Sequence, residues 1–206
     1  MKLKDLLLGF ACIALTSVAI AQDFDIKQGD TIVSASSFGK GDHVLIALPG
    51  AIRGSNPDKN SLRGRASEIA NENAGIRVIS ISWSGPGDVA AAVRFAKESG
   101  AKKISLLGHS RGAGLAAQFA SSQPDGEFDT IILLSSGDDQ GIPLTKSKKL
   151  FVYSKGDSLA RWTPRSFEKS AEPKELIALN GSGHGSGDLK AARPSLIADI
   201  VAVLKR

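Results

Sequence analysis

The chain has 206 residues, with 26 Lys and Arg against 21 Asp and Glu, a formal net charge of +5, and a single cysteine. That length suits one domain with a sizeable core, and one cysteine excludes a disulfide framework or a thiolate zinc site. The positive balance is mild and spread along the chain, without the basic residues interleaved with aromatics that a nucleic-acid surface needs.

Lys2 and Lys4 precede an apolar run from Leu6 to about Ile20, which closes on Ala19-Ile20-Ala21 before Gln22. This is the pattern of a secretory signal peptide with a small-x-small cleavage site. Residues 1–21 are therefore expected to be removed on export to the periplasm or the exterior, taking Cys12 with them. Residues 22–206 remain as one domain without a stable membrane anchor. The run is short for a spanning helix and contains Gly9, Thr16 and Ser17, so a permanent anchor is the weaker alternative.

Residues 31–36 read as an edge strand at the front of a sheet. From residue 43 onward short apolar runs, at 43–48, 77–81, 104–107, 130–134, 150–153 and 175–179, alternate with helical patterns at 60–73, 88–99, 111–122, 163–171 and 193–205. Such β-α alternation predicts a mostly parallel central sheet with helices on both faces. Trp83-Ser84-Gly85-Pro86-Gly87 follows the second run as a tight turn and is expected on the rim of a site. Residues 135–148, about fourteen in number, join the fourth run to the fifth and are too few to hold a lid domain. Lys146-Ser147-Lys148-Lys149, the densest basic cluster, reads as a solvated loop.

Gly108-His109-Ser110-Arg111-Gly112 falls between the third run and the helical pattern that starts at 111. A strained strand-to-helix turn of this kind lifts a serine hydroxyl clear of the backbone, making Ser110 the candidate nucleophile. A serine hydroxyl needs a histidine to take its proton and a carboxylate to orient that histidine. Of three histidines, His43 opens a strand and His109 adjoins the nucleophile, pointing away from its hydroxyl, so both read as structural. His184 lies in Asn180-Gly181-Ser182-Gly183-His184-Gly185-Ser186-Gly187, a glycine-rich loop after the last run that can reach back across the carboxyl edge of the sheet. Asp157 follows the fifth run and completes the chain order serine, acid, histidine. Asp138 and Asp139, after the preceding run, are the alternatives, and Asp188 is too close in sequence to His184. For the oxyanion, the backbone N–H of Arg111 and that of Ala51, in the Leu48-Pro49-Gly50-Ala51-Ile52 turn, are the candidate donors.

With these residues assembled, 43–206 resembles the α/β-hydrolase superfamily, in particular its small serine members without a cap domain. The resemblance rests on the turn at 108–112, the Pro49-Gly50-Ala51 loop, Asp157 and His184. It departs from the many members that carry His-Gly where this chain has Pro49-Gly50, and the front of its sheet reads as short of one or two early strands. The resemblance implies hydrolysis of short or accessible acyl esters, free or attached to a polymer, through an acyl-enzyme and with no metal or cofactor. A thioesterase, amidase or peptidase would use the same groups, and Arg53 and Arg111 near the mouth would favour an anionic substrate. A binding protein on a hydrolase fold is the reading of another class.

Overall fold

The computed structural model describes residues 21–50, 62–73 and 75–206. Eight strands, β1 (Gln22–Gln28), β2 (Thr31–Phe38), β3 (His43–Leu48), β4 (Ile76–Ile81), β5 (Lys103–His109), β6 (Thr130–Leu134), β7 (Lys148–Ser154) and β8 (Lys174–Leu179), form one sheet in the order β1-β2-β4-β3-β5-β6-β7-β8. The six from β4 to β8 in that order are parallel, while β1 and β2 run antiparallel to their neighbours. The described helices are α1 (Leu62–Glu72), α2 (Pro86–Glu98), α3 (Arg111–Ser121), α4 (Trp162–Lys169), α5 (Ser186–Ala192) and α6 (Leu196–Lys205).

Alternation along the central strands sorts their side chains into two apolar layers. Val44, Ile46 and Leu48 of β3, Leu106 of β5, Ile131 and Leu133 of β6 and Phe151 of β7 meet α2 and α3 on one face, with Phe167 of α4 packed against the same layer. Leu45, Ala47, Leu107, Ile132, Leu134, Leu150 and Val152 meet α1, α5 and α6 on the other. Alanines at 91, 92, 96, 113, 116, 117 and 120 are fully buried, which lets α2 and α3 lie close to the sheet.

The front of the sheet differs from its sequence reading. Residues 31–36 belong to an eight-residue strand that is second from the edge, and β1 covers it. The sheet is therefore not short at the front, because a hairpin supplies two strands there. β1 is acidic and half polar, but Asp25 and Asp23 accept hydrogen bonds from Ser34 (3.0 Å) and Ser36 (2.6 Å) across the hairpin, and Ile26 is buried. The last predicted helix, 193–205, is α6, and a further short helix, α5, precedes it where the sequence read as loop. Asp188 Oδ2 accepts from the N–H of Gly185 at the start of α5 (3.0 Å), and Leu189 is buried, so a glycine-rich segment becomes helical from residue 186.

Residues 135–147, between β6 and β7, hold no helix or strand, and they pass down the side of the sheet with Ile142 and Leu144 in the core. The N-terminal residues 1–20 lie outside the described residues, as do Ala51, Arg53 and the first two positions of the predicted 60–73 helix. Ala21, described and half-buried, packs against the layer of α1 and α6.

Candidate active site

Ser110 stands between β5 and α3 with φ 55° and ψ −121°, a conformation that side chains rarely adopt and that costs about 1–3 kcal/mol. The surroundings hold it there. Its N–H donates to Leu134 O of β6 (2.9 Å), and its carbonyl accepts from Ala113 (3.0 Å) in α3 and from Gly137 (3.2 Å) in the loop after β6. Gly112 is needed for close approach: a Cβ there would lie 2.1 Å from Leu48 O and 2.7 Å from Pro49 O. The start of α3 is thereby pressed against the end of β3, bringing the Pro49-Gly50 turn beside Ser110.

His184 reaches this turn from the loop after β8. Its Nε2 is 2.8 Å from Ser110 Oγ, and its Nδ1 is 2.6 Å from Asp157 Oδ2. A carboxylate only accepts, so Nδ1 carries the proton and Nε2 is left to accept from the serine hydroxyl. The Asp157 side chain is 2% exposed and that of His184 34%, which puts the carboxylate in the protein and one face of the imidazole toward solvent. Asp157 is itself fixed, since its Oδ1 accepts from the N–H of Leu159 (3.0 Å) in the turn after β7. Gly183 lets the loop fold over α5, because a Cβ at that position would come within 2.2 Å of Asp188 Cβ.

The other sequence candidates lie elsewhere. Asp139 pairs with Lys169 (2.5 Å), whose ammonium holds its carboxyl below the usual carboxylate range. Asp138 lies against Gly114 of α3 and accepts from Gln140 N–H (3.1 Å), and Asp188 serves α5 as described. The Arg111 N–H occupies the first position of α3, where helix N–H groups have no intrahelical acceptor. The Ala51 position lies outside the described residues. Trp83, on the rim turn, donates from Nε1 to Pro49 O (2.9 Å). Among the described residues no group of three or more His, Cys, Asp or Glu is placed to hold a metal ion.

Sequence reasoning did not find the part played by His109. Its Nε2–H donates to the backbone carbonyl of His184 (2.9 Å), and the two imidazoles lie 5.3 Å apart between centroids. The buried residue beside Ser110 thus grips the loop that carries His184. No local pattern signals this, because the bond spans 75 positions of sequence. His43 is distant from the site, sharing a 2.8 Å hydrogen bond with Ser105 Oγ at the opposite end of the sheet.

No protein-family model matches the chain, and no curated protein sequence matches it. Solved structures do. A dienelactone hydrolase from Anabaena variabilis superposes with a TM-score of 0.68 at 13% identity, covering 90% of this chain and 95% of its own. An esterase from Pyrococcus furiosus gives 0.71 at 14% identity, covering 91% and 93%. A structure described as arylesterase gives 0.73 at 14% identity, covering 91% and 84%. Likeness at this identity speaks for architecture, and with the parallel sheet, its two helical layers and a positive-φ serine between β5 and α3, it identifies the chain as having the α/β-hydrolase fold.

Proposed function

We propose that the chain is a serine hydrolase that cleaves carboxylic esters. Ser110 Oγ attacks the ester carbonyl while its proton passes to His184 Nε2, and Asp157 keeps the imidazole oriented and stabilises the imidazolium. The Arg111 N–H and a second backbone donor, assigned to Ala51, hold the oxyanion. His184 returns the proton to the leaving alkoxide, and an acyl-Ser110 ester remains. Water then attacks that ester with His184 as base, releasing the acid and restoring the serine. These steps call for no metal or cofactor.

The observation that supports this reading most is the unbroken series Ser110 Oγ, His184 Nε2, His184 Nδ1, Asp157 Oδ2 at 2.8 and 2.6 Å, on a serine held at positive φ. The absence of any helix or strand in 135–147 favours short-chain or readily accessible acyl groups, free or on a polymer. A fluorophosphonate probe tests the nucleophile: labelling is expected in the wild type and lost in Ser110→Ala and His184→Ala, whereas labelling that persists in Ser110→Ala overturns the proposal. We also propose that residues 1–21 direct export and are then removed. β1 begins at Gln22, directly after the expected cleavage site. Intact-mass measurement of protein from an exporting host is expected to find Gln22 at the N-terminus.

A further inference from the structure

Six of the nine described arginines are satisfied by polar side chains: Arg63 by Asp23, Arg65 by Glu68, Arg77 by Ser37, Arg94 by Gln28, Arg193 by Asp199 and Arg206 by Glu175. The other three, Arg111, Arg161 and Arg165, have no such partner among the described residues. All three lie on connections that leave the carboxyl ends of β5 and β7, and all three are stacked on tryptophan. The Arg111 guanidinium is 6.0 Å from the Trp83 ring centroid, and those of Arg161 and Arg165 are 4.5 and 5.6 Å from that of Trp162. These are the two tryptophans of the whole chain.

Both tryptophan plates are tied to the Ser110 turn. Trp83 hangs from Pro49 O (2.9 Å), the carbonyl against which Gly112 is pressed. Thr163, next to Trp162, accepts from Ser136 N–H (3.0 Å), and the following N–H, of Gly137, donates to Ser110 O (3.2 Å). The acids of this edge have other hydrogen-bond partners: Asp157 has His184, Asp138 the Gln140 N–H, Asp88 the Ser84 and Gly85 N–H groups, and Asp139 has Lys169, with Arg165 adding only a through-space attraction. Stacking on an aromatic face holds a guanidinium in place without neutralising it, so its fork of donors stays available to a carboxylate. Arg77 and Arg94 also lack a carboxylate, but a hydroxyl and an amide oxygen accept from them; among the described residues only the guanidiniums at this edge rest on tryptophan with no side-chain acceptor.

We infer that the site selects esters whose non-reacting portion carries a carboxylate, such as half-esters of dicarboxylic acids, and that Arg111 on Trp83 and Arg161 and Arg165 on Trp162 bind it. The inference rests on the proposed function for the ester that is cleaved, but its test needs no turnover. Because the only tryptophans belong to these pairs, intrinsic fluorescence of the non-hydrolysing Ser110→Ala variant reports the binding. Monomethyl glutarate is expected to change the emission saturably, with a dissociation constant roughly five- to tenfold below that of dimethyl glutarate. The preference should shrink between about 0.05 and about 0.5 M salt. It should also shrink when Arg111→Gln or the pair Arg161→Gln and Arg165→Gln is added, with circular dichroism checking that each variant is folded. Equal affinity for the two esters, or a preference that survives both sets of substitutions, overturns the inference. A wild type that resists the fluorophosphonate probe would remove the hydrolase reading and leave this binding measurement as it stands.

Discussion

Where the parallel strands begin, several charges are matched as carboxylate pairs within the protein, and where they end three guanidiniums have no such pair. At the amino ends Asp129 lies between Lys103 (3.3 Å) and Lys148 (3.1 Å), Asp42 pairs with Lys102 (2.8 Å), and His43 meets Ser105. At the carboxyl ends two serines, Ser110 and Ser135, take positive φ, and three guanidiniums rest on tryptophan instead of on carboxylates. The first arrangement lowers the energy of the fold. The second spends stability on groups that a bound molecule could satisfy, as expected of the edge where open α/β sheets take their ligands.

Substitutions at the two ends should therefore differ in what they damage. The largest effect is expected from Asp157→Asn, which leaves the His184 loop in place but removes the acceptor that sets its tautomer. Ester turnover should drop roughly a thousand- to ten-thousandfold, while Asp138→Asn and Asp139→Asn stay near wild type. Steady-state rates on a p-nitrophenyl ester check this, and the reverse pattern would move the acid to the strand before.

Gly112→Ala comes next, because its Cβ meets Leu48 O at 2.1 Å and the backbone of α3 or β3 must shift. A loss of about 2–4 kcal/mol is expected in denaturant unfolding. His109→Phe keeps the ring but removes the bond to the His184 carbonyl. It should lower kcat roughly ten- to a hundredfold with KM little changed, and His109→Gln, which can still donate, should recover part of the loss. Equal falls in kcat and thermal stability for both variants would make the residue a packing element only.

At the amino ends the effects are smaller and depend on pH. Burial pushes the Asp129 carboxyl up, but the Thr130 hydroxyl, Lys148 and Lys103 outweigh it and hold it below the ordinary range. A carboxyl depressed in the folded state adds stability above its unfolded value, and that stability is lost as pH falls through the folded one. Asp129→Asn should then cost about 1 kcal/mol at neutral pH and nothing further in strong acid, so the two unfolding curves converge there. His43, pushed below the ordinary histidine value by burial, acts with the same sign at higher pH. Its neutral ring favours the fold above the ordinary value and loses that advantage on acidification, a slope that thermal unfolding of His43→Gln should lack.

The regular part of the architecture was legible because it is written in local periodicity. The runs at 43–48, 130–134 and 175–179 coincide with β3, β6 and β8, and the helical pattern at 111–122 with α3 to within a residue. β1 escaped notice because only Phe24 and Ile26 carry its alternation, and its aspartates are satisfied only once β2 is alongside. The segment 180–187 reads as loop to its end, yet α5 starts at Ser186, since Leu189 gains its burial from residues remote in the chain.

By itself the sequence determined the order of strands and helices from β2 to β8 and the strand-turn-helix around Ser110, since periodicity and the glycines flanking that serine act over a few residues. Only the tertiary structure decided which carboxylate stands against His184, which loop His109 grips and which arginines go without a carboxylate. Ser110 and His184 are 74 positions apart and His184 and Asp157 are 27 apart. Contacts at such separations depend on strand order and on close approaches such as that of Gly112 to Leu48, which exist only after the sheet has assembled.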